Sequence, residues 1–263
     1  MLIIKIGGGK SINLSGIIAD LSEVEQAFII VHGANAARDD LAQKIGVSKK
    51  VLTSISGYSS VFSDETAIDL LMMAYAGLKN KRIVELCQQH GINAVGLSGL
   101  DGKVIQGKRN SGIKVYEGGK RKIVRDFSGK PKSVNKTLLT LLLENHFTPV
   151  LSVPIIDENN VAINSENDDI VNVIQNEFEA DQVIQLIEAP GFLKNPDDPA
   201  SLISRLSVDE LQVWEARVEG RIKRKLLALK KLFESGATKV VISDGRTEHP
   251  VRDALNEKGT VIE

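Results

Sequence analysis

Short apolar runs alternate along the chain with amphipathic segments of helical spacing. Each apolar run is long enough for a buried strand, and most end in glycine or in a polar turn. The predicted strands lie at 2–9, 27–35, 93–99, 148–156, 181–193, 238–245 and 260–263. This alternation predicts an α/β fold with an open, mainly parallel β-sheet sandwiched by helices.

The amphipathic segments between the strands predict the helices. These lie at 15–24, 37–46, 63–91, 133–146, 166–178, 219–236 and 249–259. In the longest, apolar residues recur at the i, i+3, i+4, i+7 spacing of one helical face: Ile68, Leu71, Met72 and Tyr75. Ser63 is the predicted N-cap of this helix, with Thr66 three residues further on.

Two stretches lack this regular pattern. The polar, glycine-containing stretch 101–131 predicts β-hairpins, and 194–202 predicts an exposed loop rich in proline and aspartate. No internal repeat or low-complexity tract divides the chain, so we expect a single domain over 1–263.

The composition is that of an ordinary globular domain, with 42% hydrophobic and 25% charged residues. A formal net charge of −1 gives no global argument for a nucleic-acid or membrane partner. No apolar run approaches the roughly 18 residues of a membrane span, and because the sequence enters its first strand directly, we expect no signal peptide. The single cysteine, Cys87, excludes an internal disulfide and indicates a buried thiol in a cytoplasmic protein.

Glycine turns follow several predicted strands, at the edge where open α/β sheets bind ligands. The first, "GGGKS" at 7–11, resembles the end of a P-loop, but G-x-x-x-x-G-K-S/T needs a glycine where this chain has Ile4. With Gly33 and the turn at 96–99, these glycines predict backbone N–H groups facing an anionic ligand. Each turn alone also fits a purely steric role.

Charged residues near these turns are candidates for chemistry. Lys5 lies within the apolar first strand, either as a buried lysine with an anionic partner or as an edge-strand lysine that reaches solvent. Asp168 follows Asn164 by four residues at the start of a predicted helix. There its carboxylate could cap the helix, hold a metal ion or orient nearby lysines.

The helix predicted at 219–236 begins with a cluster of cations, where its dipole disfavours positive charge by roughly 0.3–1 kcal/mol per residue. The cluster consists of Arg221, Lys223, Arg224 and Lys225. A bound phosphate would reverse this penalty, whereas a solvated basic face would need no ligand.

In their order, these motifs resemble the amino acid kinase family over essentially the entire chain. The resemblance rests on "IIKIGGG", "IIVHGAN", "NSENDD", "APGFL" and "GRIKRKLLALKK", and most specifically on "AGLKNKRIVE" followed by "GINAVGLSGLDG". Within the family the chain is most similar to the acetylglutamate kinase group, especially to its LysW-aminoadipate and LysW-glutamate kinases.

The resemblance implies a carbamate kinase-like fold and phosphoryl transfer from ATP, with Mg²⁺ bound through the ATP phosphates, to a carboxylate. It implies catalytic roles for Lys5 and Lys225, held in place by Asp168. The implied nucleotide-binding residues are Gly7, Gly8, Gly9, Glu188, Gly191 and Lys223, with no protein ligand to a metal ion. The implied substrate-binding residues are Gly33, Ala34, Asn35, Val61 and Asn164.

The resemblance also implies an organisation into lobes and subunits. An N-terminal lobe, 1–180, would bind the substrate, and a C-terminal lobe, 181–263, would bind the nucleotide. Relatives dimerise through the long helix, so we expect a homodimer. Because a carboxylate acceptor is already ionised at pH 7, no general base is required, and we expect structural roles for His32 and His249.

Three positions depart from the family pattern. Ala34 and Asn35 follow Gly33 where relatives carry glycine, and Asn35 adds bulk near the substrate. Glu188 replaces an aspartate near the nucleotide. Val61 replaces an arginine that binds the substrate's α-carboxylate, a contact worth roughly 1.5–3 kcal/mol. Either another cation takes that role, or the acceptor is not an ordinary amino-blocked glutamate or aminoadipate.

The stretch from Asp101 to Lys136 is strongly basic, with eleven Lys or Arg residues against three acidic residues, a local net charge of +8. Such a patch attracts an acidic partner. It suits the acidic amino-group carrier protein LysW, with Lys120, Arg121 and Lys122 as the candidate docking residues. A solvated basic hairpin is the plain alternative, and the scarcity of aromatic residues there argues against RNA.

Three functions are therefore open. The first is an ATP-dependent kinase acting on a LysW-linked aminoadipate or glutamate in lysine or arginine biosynthesis. The second is an acetylglutamate kinase acting on free N-acetylglutamate. The third is a non-catalytic, ligand-sensing relative, which the Val61 change favours and the presence of Lys5, Asp168 and Lys225 disfavours.

Overall fold

The structure is a computed structural model that describes residues 1–48, 50–53, 55, 59–117, 120–195, 197–217 and 220–263. Within these ranges, the side chains of 59–60, 117, 216–217 and 220–224 lie outside the description. The side chain of Lys223, an expected nucleotide contact, is among them.

The described strands and helices follow the predicted alternation. The strands are β1 (Leu2–Ile6), β2 (Phe28–His32), β3 (Val51–Thr53), β4 (Ser59–Val61), β5 (Ala94–Ser98), β6 (Ile105–Arg109), β7 (Ile113–Glu117), β8 (Lys120–Val124), β9 (Gly129–Val134), β10 (Thr148–Ser152), β11 (Ile155–Ile156), β12 (Ala162–Ile163), β13 (Gln182–Ile187), β14 (Arg205–Leu206), β15 (Val240–Asp244) and β16 (Thr260–Ile262). The helices are α1 (Leu14–Leu21), α2 (Asn35–Lys44), α3 (Glu65–Leu71), α4 (Asn80–Gln89), α5 (Lys136–Glu144), α6 (Asn167–Phe178), α7 (Val208–Arg217), α8 (Gly220–Glu234) and α9 (Pro250–Leu255).

An eight-stranded sheet forms the centre of the molecule, in the order β14-β16-β15-β13-β1-β2-β10-β5. Neighbouring strands run parallel except β15 and β16, which pair antiparallel. The predicted open, mainly parallel sheet is therefore confirmed. Since β1 pairs with β2 on one side and β13 on the other, its carboxyl end lies in the middle of the ligand-binding edge.

Both faces of this sheet are buried, which explains why its strands are continuous apolar runs. Along β1, Ile3 packs into one core cluster, and Ile4 and Ile6 pack into the other, as the two-residue period of a strand requires. Helices α1, α4 and α9 supply apolar residues to the Ile4 side, and α5, α6, α7 and α8 supply them to the Ile3 side.

The long helix predicted at 63–91 consists of α3, a π-helical segment at Met72–Lys79 and α4, joined without a break. Its N-cap is Asp64, whose carboxylate accepts a hydrogen bond from Ala67 N–H at 2.9 Å. The prediction of Ser63 as the cap was wrong, because the backbone and side chain of Ser63 bond to other segments.

Smaller sheets lie beyond the central one. A four-stranded sheet has the order β12-β11-β6-β9, and β7 with β8 forms a separate antiparallel hairpin, which confirms the hairpins predicted over 101–131. The sequence interpretation did not predict helix α7 and strand β14, which follow the loop at 194–202. Among the described residues, no helix is long and apolar enough to cross a membrane.

Candidate active site

Lys5 and Asp168 form an ion pair at the carboxyl end of β1. Lys5 Nζ lies 2.9 Å from Asp168 Oδ1, and their side chains are only 13% and 26% exposed. Because β1 is an interior strand, the edge-strand interpretation of Lys5 is wrong. Asp168 occupies the first turn of α6, where the helix dipole also favours its negative charge.

Lys225 is the second cation beside Asp168. Burial, followed by the charge of Lys5, lowers the pKa of the Lys225 ammonium to about 8, against the opposing effect of the Asp168 carboxylate. Burial alone would raise the pKa of Asp168, but the charges of Lys5 and Lys225 hold it below its ordinary value. One carboxylate therefore lies in the field of two ammonium groups, an arrangement with excess positive charge that favours a polyanionic ligand.

The turns after β1 and β2 touch each other next to this pair. A Cβ atom on Gly8 would lie 2.7 Å from the backbone nitrogens of Ala34 and Asn35, so only glycine permits this approach. Ala36 N–H donates to the Gly8 carbonyl at 2.9 Å, and Gly33 N–H donates to the Ile6 carbonyl at 2.9 Å. The two predicted glycine turns are thus brought together as one surface of backbone groups.

Asn35 lies at the start of α2, and its side chain is held by a hydrogen bond from Tyr75 of the π-helical segment. The Tyr75 hydroxyl donates to Asn35 Oδ1 at 2.5 Å, and its ring is buried. Burial raises the pKa of Tyr75 to about 12, and the positive charge of Arg38 opposes this rise. The sequence placed Tyr75 only on an apolar helical face, and nothing in its spacing pointed to Asn35.

Asn164 and Ser63, which lies two residues after Val61, are held in one network by the segment that precedes β9. Phe127 N–H donates to the Ser63 carbonyl, and Asn164 N–H donates to the Phe127 carbonyl, both at 2.7 Å. Asn164 Nδ2 also donates to Ser63 Oγ at 3.1 Å. The buried Asp126 carboxylate accepts from Ser63 N–H at 3.1 Å. Sequence reasoning missed Asp126, because its partner lies 63 residues away.

Glu188 follows β13 and faces the first glycine turn. Its Oε1 accepts from Ser11 N–H at 2.7 Å, and its carboxylate fills the space that a Cβ atom on Gly9 would occupy. Gly191 lies three residues further on, packed against Thr260 of β16. Both expected nucleotide contacts are therefore at the same edge of the sheet as Gly7 to Gly9.

The third glycine turn has a steric explanation. A Cβ atom on Gly96 would overlap the Asn80 side chain, whose Nδ2 donates to His32 Nε2 at 3.2 Å and to the Val150 carbonyl at 2.9 Å. A Cβ atom on Gly99 would lie 2.7 Å from Ile155 Cα. These contacts support packing rather than ligand binding for the turn at 96–99.

The two histidines near the turns make contacts within the fold. Burial lowers the pKa of His32 to about 4, so the ring is neutral and its Nε2 accepts from Asn80. His249 Nδ1 lies 3.0 Å from Asp20 Oδ1, and the buried Asp20 carboxylate also accepts from the backbone of α9. These contacts agree with the structural roles expected for both residues.

The candidate docking residues lie on the hairpin of β7 and β8, away from the central sheet. Lys120, Arg121 and Lys122 are exposed, and Arg121 Nε donates to the Tyr116 hydroxyl at 3.0 Å. Ile123 on the same strand is 63% exposed. The hairpin thus presents cations beside apolar side chains.

Comparisons with known proteins agree with this geometry. Residues 1–244 match the amino acid kinase family. The chain is 36% identical over 268 residues to a "[LysW]-aminoadipate kinase" of Thermus thermophilus, covering 100% of both chains. It is 29% identical over 264 residues to an acetylglutamate kinase of Methanopyrus kandleri, again covering 100% of both.

The fold also has relatives among solved structures. The carbamate kinase of Giardia superposes with a TM-score of 0.67 at 15% identity, covering 100% of this chain and 98% of that one. This likeness confirms the expected carbamate kinase-like fold. The chain belongs to the amino acid kinase family and is a phosphotransferase that uses ATP with Mg²⁺ as its phosphoryl donor.

Proposed function

We propose that this kinase phosphorylates the distal carboxylate of an amino-blocked aminoadipate or glutamate, carried by an acidic protein of the LysW type, to give an acyl phosphate. The observation that carries the proposal is the Lys5–Asp168–Lys225 group beside the glycine turns. A site retired from catalysis would not be expected to retain all three charges, so this group argues against the non-catalytic alternative.

Such a phosphoryl transfer needs little covalent catalysis from the protein. The acceptor carboxylate is ionised at neutral pH, and the transferring phosphoryl group spreads negative charge over its oxygens. Lys5 and Lys225 supply positive charge for these oxygens, and Asp168 keeps both ammonium groups in place. Magnesium, when bound with ATP, neutralises further phosphate charge.

The residues around Asp168 fit a phosphate-bearing ligand. Ser165 Oγ is buried and has no hydrogen-bond partner among the described residues, so its hydroxyl is free to donate to a phosphate oxygen. Across the sheet edge, Gly8 leaves backbone nitrogens uncovered by side chains. Mg²⁺ would enter the site with ATP, held through the phosphates of the nucleotide, as the resemblance to the family implies.

The proposed acceptor-binding and nucleotide-binding residues lie in different lobes, and the strands of these lobes occupy opposite sides of the central sheet. Residues 1–180 contribute Asn35, Val61 and Asn164, and this lobe would bind the acceptor. Residues 181–263 contribute Glu188, Gly191 and Lys225, and this lobe would bind the nucleotide. Phosphoryl transfer would take place between them, at Lys5.

The carrier is supported by the basic hairpin and by two relatives at 35% and 36% identity that are named "[LysW]-aminoadipate kinase". An acidic carrier would dock on Lys120, Arg121 and Lys122, with Tyr116 and Ile123 adding apolar contact area. The acetylglutamate kinase of Methanopyrus kandleri supports a free acceptor as the second candidate. We place either activity in the cytoplasm, in lysine or arginine biosynthesis.

The test is ADP release with Mg-ATP against four acceptors: acetylglutamate, acetylaminoadipate and a LysW-type carrier loaded with either amino acid. Hydroxylamine trapping reports the acyl phosphate. Turnover of a loaded carrier alone would support the carrier-linked function, and reversal of the charges at 120–122 should then raise the KM for the carrier. Turnover of acetylglutamate alone would identify the second candidate. ATP binding without turnover of any acceptor would contradict both.

A further inference from the structure

Arg109 is a cation held in a fixed position near the predicted acceptor site. Arg109 ends β6 and is half-buried. Its Nε donates to the Asp126 carbonyl at 2.8 Å, and its guanidinium carbon lies 4.0 Å from the centre of the Phe127 ring. A hydrogen bond and a stacked ring together fix the plane of the guanidinium.

The two residues that fix Arg109 are the same two that join the acceptor-site segments. The Asp126 carboxylate receives the Ser63 N–H, two residues after Val61. The Phe127 backbone lies between Ser63 and Asn164, with a 2.7 Å hydrogen bond on each side. Arg109 is therefore attached to the segments that carry both predicted acceptor contacts, although it is 48 and 55 residues away from them in the chain.

The two terminal nitrogens of the Arg109 guanidinium are available to bind a ligand. Among the described residues, Arg109 Nη1 and Nη2 have no hydrogen-bond partner. The acid beside it, Glu158, accepts from the Arg109 backbone N–H at 3.0 Å, and no ion pair joins the two side chains in the described part of the chain. Arg38, another cation near the acceptor loops, differs because its Nε and Nη2 both donate to Asp39.

A positioned guanidinium with two free nitrogens binds a carboxylate through parallel hydrogen bonds. The apolar side chain at Val61 offers no such contact, Lys5 is paired with Asp168, and Lys225 lies in the field of the same carboxylate. We propose that Arg109 binds a second carboxylate of the acceptor, the one that is not phosphorylated. The proposal rests on the proposed function, whose acceptors carry two carboxylates, and adds that Arg109 selects them through the one that is not phosphorylated.

A purely structural Arg109 would hold Phe127 and the Asp126 carbonyl without touching a ligand. The two roles predict different effects of removing Arg109 on acceptors with and without the second carboxylate. If Arg109 binds the second carboxylate, its removal weakens only acceptors that have this group. If it only packs, its removal affects every acceptor alike, or lowers stability without regard to the ligand.

The test compares wild type, Arg109→Gln, Arg109→Lys and a matched control, Lys108→Gln, which removes the adjacent exposed cation of β6. Each is assayed with the acceptor preferred by the wild type and with its α-carboxamide, which retains only the distal carboxylate. Calorimetric binding of both acceptors is measured in parallel with turnover, and thermal melting checks the fold.

We expect Arg109→Gln to raise the KM and Kd for the dicarboxylate at least about tenfold, with the KM for ATP unchanged. Arg109→Lys should recover part of this loss, and Lys108→Gln should match wild type. The α-carboxamide should bind wild type and Arg109→Gln equally. Equal effects on both acceptors, or no effect on either, would overturn the assignment while leaving the carboxylate kinase intact.

The calorimetric binding measurements test the role of Arg109 independently of whether the proposed function is correct. If the wild type binds the dicarboxylate but forms no acyl phosphate, the proposed function fails, and the Kd values of the variants still decide the role of Arg109. If the wild type neither binds nor phosphorylates a dicarboxylate, both fail.

Discussion

Lys5 Nζ lies 2.9 Å from Asp168 Oδ1, across the junction between the first strand and a helix that begins more than 160 residues later. The pair is mostly buried, with Lys225 as a second cation in its field. Charges interact more strongly in a buried site than at the solvent-exposed surface. Removing one member of the pair should therefore alter phosphate binding more than removing a surface charge would.

Asp168→Asn should lower kcat about 100-fold or more, because it releases two ammonium groups that must be positioned around the transferring phosphoryl group. The KM for the acceptor should change less. Steady-state kinetics with both substrates varied will measure this. Asp169→Asn, the next residue of the same helical turn, is the matched control. Equal losses in the two variants would contradict the role given to Asp168.

ATP binding should weaken as the pH rises above about 8. The Lys225 pKa of about 8 in the nucleotide-free protein means that its ammonium loses its proton through this range. A bound polyphosphate favours the charged form, so binding near pH 8 to 9 should take up a proton. Calorimetry in buffers of different ionisation enthalpy measures that uptake.

Lys225→Arg supplies the control for this pH dependence, since an arginine stays protonated throughout the range. Its ATP affinity should be flat between pH 7 and 9.5. A wild-type affinity that does not change over the same range would contradict the assignment of the titration to Lys225.

The free energy of unfolding should fall as the pH drops below 6.5, because His32 is buried as the neutral ring. Its pKa is about 4 in the folded protein and about 6.5 when unfolded, so the unfolded chain binds the proton more readily. Between pH 7.5 and 5 the loss amounts to about 2 kcal/mol. Urea unfolding at the two pH values measures it.

The comparison for His32 is made with variants at two histidines. His32→Gln should be less stable at pH 7.5 but should lose less stability on going to pH 5. His90→Gln, at an exposed position, should keep the wild-type pH dependence. A pH dependence unaltered in His32→Gln would show that other groups cause it.

Tyr75→Phe should raise the KM for the acceptor by about fivefold, with little change in the KM for ATP. The hydroxyl fixes Asn35 Oδ1 and leaves the Asn35 amide nitrogen to donate toward the acceptor, and one such hydrogen bond is worth about 1 kcal/mol. In a double-mutant cycle, Tyr75→Phe should add nothing to Asn35→Ala. Additive effects would mean that Tyr75 does not act through Asn35.

We propose that the long helix forms a homodimer interface, because Met72, Met73 and Leu78 are 36%, 46% and 50% exposed. Light scattering at micromolar concentration should give about twice the 28.6 kDa chain mass, and Met73→Glu should shift it towards the monomer. Val213→Glu, at a comparably exposed position of α7, should remain dimeric. A monomeric wild type would contradict the interface.

The alternation of apolar and amphipathic segments determined the fold class, because a sheet buried on both faces requires continuous apolar strands. It therefore located β1, β2, β10 and β15 to within four residues at each end, and the start of β13 to within one residue, although the predicted strand at 181–193 ran six residues past its end. It failed for α7, whose polar, charged sequence follows a proline-rich loop, and for the cap of α3. Local propensity could not decide between Ser63 and Asp64, since both residue types cap helices.

The candidate site divides in the same way. The sequence by itself marked Lys5, Asp168, Lys225 and the first two glycine turns, because a lysine in an apolar strand and cations at a helix start are locally unfavourable. Only the tertiary structure showed that Gly96 makes room for Asn80. It also joined Arg109, Asp126 and Asn164, since contacts between residues far apart in the chain leave no periodic signal. They form only when the strands are packed side by side.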